Sequence, residues 1–209
     1  MRYIKMLGLA AVAAAALMAF VGASTASATV LCKTTTNGAP TCPANQAYPA
    51  GTAVHAVSET KPVLTSFINV ECAEATVQGT TDIEGEKGKP VTGKVSELKF
   101  IEPCNCAVKV LKNGSLSISW LSATNNGSLS SSGAEVTIEC NTIFGKVHCI
   151  YETSSTPLGT LTGGEEATMD IESANIPRLK TDSLCAEKAN WDVKFKVTTP
   201  KPLFVAEET

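Results

Sequence analysis

Three observations predict an all-β protein, built as an antiparallel β-sandwich of Greek-key or immunoglobulin-like topology. Short runs of apolar residues alternate with polar ones at period two, the pattern of strands with one wet face. Turn residues punctuate these runs closely, and the only helical candidate downstream of the N-terminal leader is one or two turns at 183–190. Finally, the chain of 209 residues holds eight Cys and begins with what reads as an export leader, so its thiols are expected to meet an oxidising compartment and to bond.

The leader has three parts. Arg2 and Lys5 supply a basic start, residues 6–21 an uninterrupted apolar run, and Ala26, Ser27 and Ala28 the small residues that a signal peptidase reads. The cut is expected after Ala28, which makes 1–28 a signal peptide and the product secreted, with no membrane attachment after cleavage. The apolar run is shorter than the ~20 residues that cross a bilayer comfortably. Leu31 stands before Cys32 where a lipid anchor needs a small residue. Residues 29–61 read as an irregular segment clipped by a disulfide, and 62–209 as a single sandwich domain.

The strands are expected at 63–72, 75–83 and 91–101, with a charged tip at 84–90 between the second and third. Residues 107–111 lead into Asn113-Gly114, a dipeptide suited to a two-residue hairpin turn, after which Leu116, Ile118 and Trp120 alternate with serines. Residues 125–133 read as a Ser- and Gly-rich loop. Val136, Ile138 and Cys140 begin the next strand, with returns at 147–153 and 167–173. Trp191, Val193, Phe195 and Val197 form the last clear inward series, and Trp120 and Trp191 are both assigned to core packing.

Locality guides the disulfides. Cys32 with Cys42, and Cys140 with Cys149, are expected as local pairs, each across a turn-rich stretch. Cys104 and Cys106, one residue apart, should bond to two different partners because a bridge across a single residue is strained. Cys72 and Cys185 are the remaining thiols, so these four are expected as long-range pairs. Zinc is disfavoured because the close pair is C-x-C and the only nearby imidazole is His148.

No catalytic, cofactor-binding or metal site emerges. His55 and His148 are the only imidazoles available to a nucleophilic triad, and no G-x-S-x-G elbow accompanies them. Carboxylates are plentiful (Glu71, Glu74, Asp82, Glu135, Glu139, Asp170, Glu172, Asp192), but a glycosidase would also want aromatic rings to stack on sugar, and aromatic residues make up 5% of the chain. The 162–170 stretch, with Glu165, Glu166 and Asp170, lacks a calcium-loop pattern. The tip at 84–89 lacks the phosphate-loop spacing. Sequons occur at Asn113 and Asn126. A formal net charge of −3 argues against binding nucleic acid through its phosphates.

The run 98–120, with Phe100, Cys104, Cys106, Asn113-Gly114 and Trp120, together with Glu139-Cys140 and the Cys185 region, resembles small secreted β-proteins of soil actinobacteria. The likeness covers about 68–205. It implies an exported bacterial β-protein and carries over no site residues. The leading expectation is therefore a non-enzymatic structural or interaction protein of the bacterial exterior, monomeric and without cofactor, acting on an extracellular protein or glycan. A carbohydrate- or small-ligand-binding module is the alternative, and a secreted carboxylate-dependent hydrolase the third reading.

Overall fold

The computed structural model describes residues 28–36, 40–83, 85, 89–143, 145–180 and 184–208. Among them every regular element is a strand, all the cysteines are paired, and the large sheet is antiparallel throughout. The leader at 1–27 and most of the charged tip at 84–88 lie outside the described residues.

In chain order the strands are β1 (Thr29–Cys32), β2 (Thr41–Cys42), β3 (Ala53–Ser58), β4 (Val63–Thr65), β5 (Asn69–Thr81), β6 (Val91–Cys104) and β7 (Ala107–Trp120). They continue with β8 (Asn126–Thr142), β9 (Gly145–Glu152), β10 (Thr156–Thr162), β11 (Thr168–Lys180), β12 (Lys188–Thr199) and β13 (Phe204–Glu208).

The expected sandwich is instead a closed 8-strand barrel. β12 pairs with β11 on one side and with β3 and β4 on the other, which joins the end of the meander to its beginning and removes the free edges a sandwich would keep. Two staves are each made of two short strands laid end to end. β3 and β4 both lie between β5 and β12, and β9 and β10 both lie between β8 and β11. Every stave neighbours the next in sequence, giving an up-and-down barrel. Period-two alternation cannot separate this from a sandwich, because both bury one face of every strand. Since β3 is a stave, residues 29–61 are not a separate irregular segment.

Two local expectations fail for related reasons. Asn113-Gly114 does not turn the chain: β7 runs through it, and 107–120 pairs with β8 along its length. Gly114 has φ 71°, and a Cβ there would collide with the backbone of Ser132 and Ala134, so the glycine serves a kink inside a strand. Residues 125–133 are not a loop but almost wholly the first half of β8, with Gly127, Leu129 and Ser131 buried in alternation. At Gly127 a Cβ would stand 2.6 Å from the Ile118 side chain and 3.1 Å from that of Val205, so this glycine permits close packing. The predicted helix at 183–190 is also absent from the described part, where β12 has begun by Lys188.

The barrel has unlike ends. At one, the small sheet β1-β13-β2 lies across the opening, joined by the Cys32–Cys42 bridge, and Leu31, Leu203 and Val205 are buried as a plug. Thr29 Oγ1 accepts a hydrogen bond from Trp120 N at 2.9 Å, and Tyr48 OH donates to Pro202 O at 2.6 Å, fixing the plug to the wall.

The other end is stapled by Cys72–Cys104, Cys106–Cys140 and Cys149–Cys185. Cys104 and Cys106 do bond to different partners. Cys140 and Cys149, however, are not paired with each other, and Cys185 does not meet the Cys104 segment. The β8–β9 register sets Cys140 opposite Val147 and Cys149 opposite Ile138. That leaves the two cysteines diagonal, at a separation typically about 7–8 Å and beyond ordinary bridge geometry.

Candidate functional site

The inward faces of the staves are apolar, and they leave space. One cavity of about 90 Å³ lies toward the stapled end, bounded by Leu98, Phe100, Val108, Ile138 and Trp191. A second of about 60 Å³ lies toward the plug, bounded by Leu31, Val54, Ile118 and Leu203. They share Val77, Val95, Leu116, Leu129 and Met169 as walls, so the two follow one another along the barrel. An apolar cavity of about 150 Å³ stays dry and takes benzene, which sets the scale for the pair.

The wall parts above the larger cavity. β6 and β7 share backbone pairing only from Val91 opposite Ile118 to Lys94 opposite Ser115. Beyond that point β6 continues on β5 and β7 on β8. Asn113 marks the place where they separate: its Oδ1 accepts from Leu98 N at 3.0 Å and its Nδ2 donates to Ser96 O at 2.7 Å. Val95, Leu98, Phe100 and Val108, which flank the parting, remain partly exposed although they face inward.

A second interruption, between β10 and the 172–177 part of β11, is different. Leu158, Ile171, Ala174 and Ile176 around it are all buried, and an open hollow of mixed polarity lies outside. Of these two interruptions, the β6–β7 parting is the one flanked by partly exposed inward residues.

Few polar groups reach the larger cavity. Ser131 and Thr153 hydroxyls lie 3.0 Å apart, and Thr153 Oγ1 accepts from Ala134 N at 3.0 Å. Asn113 is occupied at both ends by β6. Trp191 differs: its Nε1 is buried with no hydrogen-bond partner. Its ring meets Phe100 and Phe195 edge-on, with centroids at 6.3 and 6.1 Å. Trp120 provides the contrast, because its Nε1 donates to Thr124 O at 2.7 Å.

The residues singled out from sequence for chemistry are on the outer wall, and among the described residues the one pair that meets there is Glu139 and His148, with Oε1 and Nε2 3.9 Å apart. Glu71, Glu135, Glu139 and Asp170 each face a lysine, at 2.6, 2.7, 2.6 and 3.4 Å (Lys61, Lys112, Lys146 and Lys194). Lys146 holds the Glu139 carboxyl below its ordinary range, first by hydrogen bonding and then by its charge; Lys196 and Lys201 do the same to Glu166. Glu166 and Asp170, two of the carboxylates in the 162–170 stretch, are thus engaged by lysines. His55 Nδ1 lies 2.6 Å from Thr198 Oγ1, and His148 Nε2 2.6 Å from Thr137 Oγ1. Among the described residues no group of three or more His, Cys, Asp or Glu gathers as a metal set would.

Sequence reasoning placed Trp191 inside but had no means of finding the cavity, since the residues bordering it come from most of the staves. Compared with protein-family models, with curated proteins and with solved structures, the chain matches none.

Proposed function

We propose that this is an exported bacterial binding protein whose barrel holds a small apolar molecule, or the end of a longer one, admitted through the β6–β7 parting. The observation that carries this reading is the unfilled apolar interior beneath a wall that is not hydrogen-bonded shut. An eight-strand barrel is just wide enough either to be filled by its own side chains or to hold one small ligand, and the residual space here favours the second. The four disulfides suit an oxidising, extracellular setting, in keeping with the leader at 1–28. Asn190, Asp192, Lys194 and Lys196 on the outward face of β12 suit a barrel wall bathed in water.

The test is a titration of the methyl-labelled protein with n-hexane, read by NMR. Saturable shifts are expected in the methyl groups of Val95, Leu116 and Leu129, which border both cavities. Val108→Trp, at the lip of the parting, is expected to slow uptake. Unmoved methyl resonances at hexane saturation would overturn the proposal and favour a protein that acts through its surface, where Phe67 and Ile143 stand exposed at the stapled end.

A further inference from the structure

We infer that the molecule held in the barrel carries one uncharged hydrogen-bond acceptor, and that this acceptor meets the indole N–H of Trp191. The inference rests on the apolar-ligand reading above and narrows it to a chemical class: a short chain with a ketone, aldehyde, ester or alcohol oxygen near one end.

Indole nitrogen is a donor and nothing else, and a buried donor without a partner is a net cost to the fold. Trp191 is nine-tenths buried, it borders the larger cavity, and its Nε1 has no hydrogen-bond partner. The other polar side chains on that cavity, Asn113, Ser131, Tyr151 and Thr153, have their partners within the protein. Trp191 is therefore the polar side chain bordering the cavity whose donor finds no partner within the protein.

The cavity also sets the charge of the ligand oxygen. The residues bordering it include no lysine, arginine or histidine, so a carboxylate would be buried without a counter-charge, at a cost that one hydrogen bond does not offset. Position follows from the neighbours. Trp191 contacts Phe100, on the lip of the parting, while the second cavity leads away toward Leu31 and Leu203. The oxygen then lies near the opening and the hydrocarbon tail points at the plug.

The experiment compares n-hexane, 2-hexanone and hexanoate at neutral pH, on the full exported chain and on Trp191→Phe. 2-Hexanone is expected to bind the native protein at least as tightly as n-hexane, although its carbonyl has left water. Trp191→Phe is expected to weaken the ketone about tenfold more than it weakens n-hexane. In the native protein the Trp191 indole proton is expected to move downfield with the ketone and not with the alkane. The Trp120 indole, already bonded to Thr124, serves as the internal control.

Equal losses for both ligands in Trp191→Phe, an indole proton indifferent to the ketone, or hexanoate binding better than 2-hexanone would each overturn the inference while leaving apolar binding intact. If n-hexane does not bind at all, the reading beneath falls too. Should Trp191→Phe fail to fold, the indole resonance of the native protein decides alone.

Discussion

β12 and β6 are written in the same alternating script and end in different states. On β12 the inward residues Ala189, Trp191, Val193, Phe195 and Val197 are all buried, and the strand is hydrogen-bonded on both sides. On β6 the inward residues Val95, Leu98 and Phe100 stay partly exposed, because the strand keeps β5 throughout but loses β7 after Lys94. Alternation therefore says which side of a strand is apolar. Lateral pairing decides whether that side is sealed.

The sharpest way to break this comparison is a pair of truncations. Phe195→Ala is expected to cost about 3–5 kcal/mol, the usual figure for emptying a fully buried aromatic site. Phe100→Ala should cost less than half as much, about 1–2 kcal/mol, because less of its surface leaves water on folding. Chemical denaturation of the two variants checks this, and equal costs would show that the β6 wall is as closed as the β12 wall.

The disulfides flanking the parting come next. Removing Cys106–Cys140 by a double Ser substitution is expected to destabilise by about 2–4 kcal/mol, visible as a lowered Tm that reducing agent no longer shifts at that site.

Asn113→Ala should cost about 1–2 kcal/mol through two lost hydrogen bonds to β6. It should also speed amide exchange at Leu98, whose N–H loses its acceptor, without altering exchange on β12. Exchange that quickens equally in both strands would mean that Asn113 does not define the parting.

The smallest effect is that of pH. Glu139 and Glu166 have carboxyl pKa values lowered in the folded state, so their contribution is full above the ordinary glutamate range and is lost as pH falls through the lowered values. Both groups are exposed and screened. Acid titration of stability should accordingly show a slight decline in that window that salt suppresses, and a decline unaffected by salt would assign it elsewhere.

Much of the fold was legible because strands report their own burial. The inward parity of Trp191, Val193, Phe195 and Val197 could be read directly, as could the bridge between Cys32 and Cys42 and the divergence of Cys104 from Cys106. Closure was not legible, since no residue of β12 announces that it will pair with β3. Asn113-Gly114 misled because a left-handed glycine looks the same in sequence whether it reverses a chain or kinks one. Gly127 misled in the same way: a residue chosen for close packing against Val205 resembles one chosen for a loop. The cavity was hidden for a further reason. It consists of what the side chains of several staves jointly fail to fill, and no single stretch of sequence encodes that.

The four bridges carry one more consequence. In order along the chain the cysteines pair first with second, third with fourth, fifth with sixth and seventh with eighth, at separations of 10, 32, 34 and 36 residues. No ring encloses or crosses another. A chain threaded N-terminus first into an oxidising compartment can therefore close each ring before the second thiol of the next one emerges. An oxidant that joins every second thiol to the one just ahead of it reaches the native set without thiol exchange, so the order of emergence is itself an assembly instruction.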